Sequence, residues 1–373
     1  MKNAICIILL FLFAGCIEPY HIEIENNDKI LVVEGIISSG TTKITLCKTV
    51  GINYPLYGGN FPAVNAATMY VECEDGTLSP VASSSGNGIY MIETGELNID
   101  AKYRLVILEN GDEYHSGYIT PAISPPVNVT FDADDSNIHV CVSTHGYDNQ
   151  PGYYLWSYTE DWEITSYVFG DWAMVDGVLV PNDIWSPQNR YYCWKTDSSK
   201  VLILGTTEKL TDNDIIEQRI HNFSRLDDRS SFLYRIKVKQ HTIHKEAYDY
   251  FFNQQKNIEQ TGSIFGVIPS EITGNIRCVS NPDIPVIGYV DVSTTSAGSQ
   301  YLNSQFYDQM YRITNSVNCI ANELINPESI PNSYILYTIE QNELYHYINR
   351  GCVDCTLMGG LKKRPKDWEN NHY

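Results

Sequence analysis

Residues 103–120 read YRLVILENGDEYHSGYIT, two runs of β-branched and aromatic residues on either side of Asn110-Gly111. A two-residue hairpin turn needs positive φ at both central positions, which Asn and Gly tolerate and β-branched residues do not. The stretch therefore predicts an antiparallel hairpin. Upstream, ILVVEGIIS (30–38), TKITLCKT (42–49), ATMYVECE (67–74) and IYMIE (89–93) are runs of the same kind, separated by Ser39-Gly40, Asp75-Gly76 and Gly86-Asn87-Gly88. Short β-rich runs punctuated by Gly, Asn and Asp read as consecutive strands. Residues 30–121 are thus expected to form a small antiparallel sandwich.

The V-x-G-x-I opening, the Ala67-x-x-x-Val71 strand ending near Asp75-Gly76 and the closing Tyr-x-Leu-x-Ile strand resemble a transthyretin-like, Ig-like module. PAISPPV (121–127) breaks the pattern, because adjacent prolines cannot continue a ladder. A boundary is expected there, followed by a second, larger β-rich domain over 127–373. Within it, SFLYRIKVKQ (231–240) alternates, with Phe232, Tyr234, Ile236 and Val238 on one face and Arg235, Lys237 and Lys239 on the other. That pattern predicts a half-solvated strand. Tyr248, Phe251, Phe252, Gln255 and Ile258 recur at helical spacing before Gly262, which predicts one prominent helix over 244–260. IPVIGYVDVS (284–293) reads as a buried strand. The fold class expected is mainly β: a sandwich followed by a β-rich domain carrying one helix.

The N-terminus has another character. Lys2 precedes the apolar run AICIILLFLFA (4–14), and Ala14-Gly15 places small residues before Cys16. This is the form of a signal peptide, far short of the roughly 20 apolar residues needed to span a bilayer. Phe13-Ala14-Gly15-Cys16 looks like a lipobox, so cleavage after Gly15 and lipidation of Cys16 are expected. Acylation anchors a protein through its buried methylenes, about 0.8 kcal/mol each. Residues 16–29 form an acidic tether with Glu18, Glu23, Glu25 and Asp28. The formal charge of -20 becomes -21 when Lys2 leaves with the signal. So acidic a chain is ill suited to nucleic acid. Ten cysteines less Cys6 and Cys16 leave eight, and an oxidising compartment permits disulfides.

No nucleophile elbow, zinc-protease motif, phosphate loop or dinucleotide fingerprint occurs, so no catalytic residue, metal or cofactor is expected. His241 and His244 could share a metal; the plainer reading puts His241 on a solvated strand face and His244 at the helix start. Asp132, Asp134 and Asp135 lack the Gly and Glu of a calcium loop and read as a turn. Cys352 and Cys355 have redox spacing, but Gly359-Gly360 and Pro365 follow where a helix would be needed. Structural disulfides are expected instead, with Cys193 as a distant partner for one of them. Cys47 and Cys73 are a weaker candidate pair. Five of six tryptophans lie between residues 153 and 194. Trp156, Trp162, Trp172 and Trp185 are either core or a contact surface for a ligand or partner. Lys362, Lys363, Arg364 and Lys366 read as a solvated basic tail.

In order along the chain, the lipobox and acidic tether, Val33-Glu34-Gly35-Ile36, Tyr153-Tyr154-Leu155-Trp156, Tyr192-Cys193-Trp194, HKEAYDYF (244–251), Ile264-Phe265 to Pro269, Gly274-Asn275-Ile276, Val286-Ile287-Gly288-Tyr289, Cys352-x-x-Cys355, Gly359-Gly360 and Pro365-x-x-Trp368 resemble a family of Bacteroidota lipoproteins classed as a domain of unknown function, DUF4249. The resemblance implies a surface-exposed lipoprotein of the outer membrane, facing the cell exterior, that serves a TonB-dependent receptor in nutrient uptake without being an enzyme. The alternative expectation is a free-standing glycan- or peptide-binding lipoprotein.

Overall fold

A computed structural model describes residues 29–50, 61–176, 178–183, 189–260, 274–302, 319–323, 332–339 and 345–368. The signal peptide, Cys16, the tether up to residue 28, Trp185 and residues 264–269 lie outside the described residues. The chain is mainly β, as its sequence predicts. The first body is built from β1 (Leu31–Ser38), β2 (Gly40–Lys48), β3 (Thr68–Cys73), β4 (Ser83–Gly86), β5 (Ile89–Gly95), β6 (Tyr103–Glu109) and β7 (Asp112–Ser116). The expected hairpin joins β6 to β7, with φ of 55° at Asn110 and 89° at Gly111. Both lie in the left-handed region that this turn demands.

The second body follows the prolines. Its strands are β8 (Asn128–Ala133), β9 (Asn137–His145), β10 (Tyr153–Thr165), β11 (Trp172–Val175), β12 (Val178–Pro181), β13 (Tyr192–Ser198), β14 (Ile203–Thr206), β15 (Asp214–Ser224) and β16 (Tyr234–Thr242). Helix α1 (Lys245–Gln260) comes next, then β17 (Ile276–Cys278), β18 (Val286–Ser293) and β19 (Thr295–Tyr301). A small sheet of β20 (Asn322–Glu323), β21 (Tyr334–Ile339) and β22 (Tyr345–Asn349) leads into the short helix α2 (Arg350–Val353).

The boundary at 121–127 requires a correction, because the first body is not contiguous in sequence. β18 pairs in parallel with β1, from Leu31 opposite Val286 to Ser38 opposite Ser293. β17 pairs with β7. The sandwich is therefore a β18-β1-β2-β5-β4 sheet over a β17-β7-β6-β3 sheet. Its core joins Val33, Ile37, Ile44 and Leu46 to Val290, Val292 and Ile276. Apolar residues at 276–292 fill a layer that 30–121 leaves open. Gly288 is needed for that pairing: at its φ of 145°, a Cβ would lie 2.2 Å from the Val33 carbonyl oxygen.

The second body packs the β13-β10-β16-β19 sheet, with β14 also on β10, against β15-β9-β8. Tyr154, Trp156, Trp162, Tyr234, Ile236 and Val238 fill the space between. Arg235 departs from the expected solvent face of β16. It is 3% exposed because its Nη2 donates to Asp161 at 2.7 Å and its guanidinium also donates to the carbonyls of Lys366 and Asp367. The basic tail is accordingly docked and not free: Lys362 donates to the Tyr192 carbonyl, Arg364 lies over the Trp194 ring and Trp368 is buried beside Trp194 and Leu233. Burial also lowers the Lys362 pKa to about 8. Among the described residues no helix is long and apolar enough to cross a membrane.

Candidate functional site

Helix α1 connects the two bodies. Its first residues are set by His244, whose backbone N–H donates to Asp291 Oδ2 and whose Nδ1 lies 2.8 Å from Asp291 Oδ1. The Asp291 hydrogen bond raises the His244 pKa against the effect of burial. Tyr250 and Phe251 of the helix then pack with Ile36 of β1, Ile243, Leu155 and Leu202. That contact holds the outer face of the β1-β2 ladder opposite the outer face of the β10-β16 ladder.

Between the two faces lies a cleft of three adjoining cavities, all lined by Glu34. The placement follows from strand alternation. Val33 and Ile37 point into the sandwich core, so Glu34 points out of it, with Thr45 opposite on β2. On the facing sheet Tyr154 and Trp156 point inward, which leaves Leu155 and Ser157 outward, opposite His241 and Lys239 on β16. The section between the two sheets, about 330 Å³, is lined by Glu34, Lys43, Thr45, Ser157, Lys239 and His241 among others. An apolar section of about 590 Å³ is lined by Ile36, Leu155, Val201, Leu202 and Phe251, with Gln254 and Gln255. A third, of about 770 Å³, reaches Cys47, Phe61 and Asn87. These sizes fall in the range of small-molecule sites.

Four polar groups of the cleft lack partners among the described residues. Among the described residues Glu34, Lys43 and Lys239 make no ion pair, and His241 Nδ1 is sealed from solvent without a hydrogen-bond partner. Burial lowers the Lys239 pKa, and burial together with the Lys239 charge brings His241 down to about 3. The imidazole is therefore neutral at pH 7, with one ring nitrogen unsatisfied. Such a group costs stability, of order 1–3 kcal/mol. Burial and the nearby Glu34 carboxylate raise the Cys47 thiol pKa.

A second polar cluster is of another kind. Glu160, 1% exposed, accepts from Arg229 Nε at 3.0 Å and Nη2 at 2.7 Å, and from the Tyr234 hydroxyl at 2.8 Å. His221 Nε2 is 3.3 Å away, and its Nδ1 is 2.9 Å from the Tyr158 hydroxyl. Arg229 stacks on Trp162 at 4.3 Å. Burial would raise the Glu160 pKa, but hydrogen bonds from His221 and Arg229 outweigh it and hold the carboxyl at about 2. None of these residues lines the three cavities. A carboxylate so fully hydrogen-bonded and closed to substrate is a structural keystone.

The residues singled out from sequence fall into place as follows. Cys193 pairs with Cys355 and Cys319 with Cys352, so the two closely spaced cysteines bind separate distant partners. Cys47 and Cys73 are free, a correction to the candidate bridge. Cys73 is buried in line with Met69 and Val71 on one sheet of the sandwich, whereas Cys47 is on the other sheet and faces outward into the cleft. Trp156 and Trp162 are core, 1% and 5% exposed, and are not contact residues; the Trp156 indole donates to Gln240. Trp172 is half-buried on β11. Asp134 caps its own turn and meets His139, while Asp132 pairs with Arg219, so the FDADD turn is stabilised by protein groups. No cluster of metal-ligating side chains occurs among the described residues.

No motif in the sequence marked Glu34, Lys43, Lys239 or His241 as a group. They lie on three strands spread over about 200 residues, and only the reading of 231–241 as a strand, which put Lys239 and His241 on an outer face, hinted at two of them. No curated protein matches the chain. The model of a domain of unknown function (DUF4249) matches residues 17–299, more than half of the 373 residues, and the chain belongs to that family.

Proposed function

We propose that the protein is a non-enzymatic binding component of an outer-membrane uptake system, tethered through lipid on Cys16, facing the cell exterior and docked on a TonB-dependent receptor. The observation that favours a binding role is the cleft, where Glu34, Lys43, Lys239 and His241 stand without partners among the described residues beside apolar walls at a junction between two bodies. Junctions of this sort are preferred ligand sites. The lipobox reading of residues 13–16 supports the anchor. With a single tether of about a dozen residues, an anchored body samples its membrane partner at high effective concentration.

Tagged protein purified from detergent-solubilised outer membrane of its own host tests the reading. A β-barrel receptor should co-purify, and Cys16→Ala should move the protein out of the membrane fraction and lose the receptor. Recovery of membrane-bound protein without any receptor would refute the docking role. The alternative of a glycan or peptide binder built on exposed tryptophans loses its contact surface at Trp156 and Trp162, both buried.

A further inference from the structure

The cleft has a chemical bias that runs against the rest of the molecule. In a chain of net charge -20, its inter-sheet section brings Lys43 and Lys239 together with the orphaned ring nitrogen of His241. Neither lysine has an acidic partner among the described residues, although Glu34 lines the same cavity. Lys239 stands opposite Ser157 and His241 opposite Leu155, so their side chains leave β16 on one face, two residues apart. Lys43 is exposed and Lys239 half-buried, and a partly desolvated, unpaired ammonium such as that of Lys239 interacts with an anion far more strongly than an exposed one. A neutral imidazole with a free ring position can donate one further hydrogen bond. Beyond Glu34 the walls turn apolar, at Ile36, Leu155, Val201, Leu202 and Phe251.

We propose that this cleft binds an amphipathic carboxylate, its head group held by Lys239 and Lys43 beside His241 and its apolar part lying along Ile36, Leu202 and Phe251. Glu34 lines both sections and selects for a hydrogen-bond donor beside the head group, such as the amide N–H of an N-acyl amino acid. The ligand class rests on the reading of the protein as a binding component, but not on the identity of its receptor.

Isothermal titration of the full lipoprotein in detergent, with N-acetyl-leucine, octanoate and octanamide as probes, tests it. Both acids should bind and N-acetyl-leucine should gain from its amide, while octanamide binds at least about tenfold more weakly than octanoate. Lys239→Met should weaken both acids at least about tenfold, the loss of one charge-assisted contact. Because the Lys239 side chain makes no ion pair or hydrogen bond among the described residues, that variant should keep the wild-type melting temperature. Glu34→Gln should change the preference between the two acids. Equal binding of octanoate and octanamide, or no heat from either acid at about 10 mM, overturns the proposal. So does a Lys239→Met protein that melts normally and binds both acids as wild type does. Receptor co-purification is scored separately: carboxylate binding without a receptor refutes only the docking role, and a receptor without carboxylate binding refutes only the ligand class.

Discussion

The Glu160 cluster makes a quantitative prediction about what holds the second body together. Glu160→Gln preserves side-chain shape but removes the charge that accepts two Arg229 bonds and the Tyr234 hydroxyl and faces His221 Nε2 at 3.3 Å. Arg229, 17% exposed, would keep Asp227 at 3.1 Å and the more distant Asp197 at 3.9 Å. Removing one member of a buried ion pair costs about 3–5 kcal/mol, because the surviving charge is left desolvated. The pKa gives an independent figure: lowering the carboxyl from 4.5 to about 2 corresponds to about 3 kcal/mol. The sign follows from the direction. A carboxyl held below its unfolded value contributes stability that is complete above about pH 4.5 and is lost as pH falls toward 2. Urea unfolding followed by tryptophan fluorescence reads this body selectively, since all six tryptophans lie beyond residue 127. The variant should lose about 3 kcal/mol at pH 7, and the gap from wild type should close as the pH drops below about 4.5. As a comparison, Asp132→Asn breaks the exposed Arg219 pair, 55% and 52% exposed, and should leave the unfolding midpoint close to that of wild type. A loss below about 1 kcal/mol for Glu160→Gln, or a gap independent of pH, refutes the assignment of Glu160 as the keystone.

Other consequences are open to measurement. His241, with a folded pKa of about 3 against 6.5 when unfolded, should make the protein lose stability as pH falls below about 6.5, at up to about 1.4 kcal/mol per pH unit. His241→Gln should flatten that part of the stability profile, and a profile that does not change would show that the imidazole is solvated. The Cys193–Cys355 bridge closes a separation of 162 residues and ties the C-terminal strap across β13. Replacing both cysteines by Ala should cost about 2–5 kcal/mol and expose the 355–368 segment to protease; an unaltered digestion pattern would mean that Trp368 and Arg235 hold the strap unaided.

Local chemistry determined a good deal of this protein. Asn110-Gly111 forced a hairpin because few other dipeptides accept two positive φ angles, and the helix starting near His244 was legible in the spacing of its aromatics. The fold class followed from the same short-range rules, as did the expectation that Cys352 and Cys355 are structural, because each depends on residues that are neighbours in the chain. Tertiary structure decided the rest. That 276–293 returns to complete the first sandwich depends on a parallel pairing across some 250 residues, which no local pattern encodes. That Arg235 is buried depends on Asp161 and on two carbonyls near the C-terminus. Trp156 and Trp162 became core for the same reason, since sequence alternation shows which residues share a face but not what that face meets. The cleft is the clearest case. Lys239 was legible as an outward-facing residue, and only the docking of α1 between the two bodies turned its face toward that of Glu34.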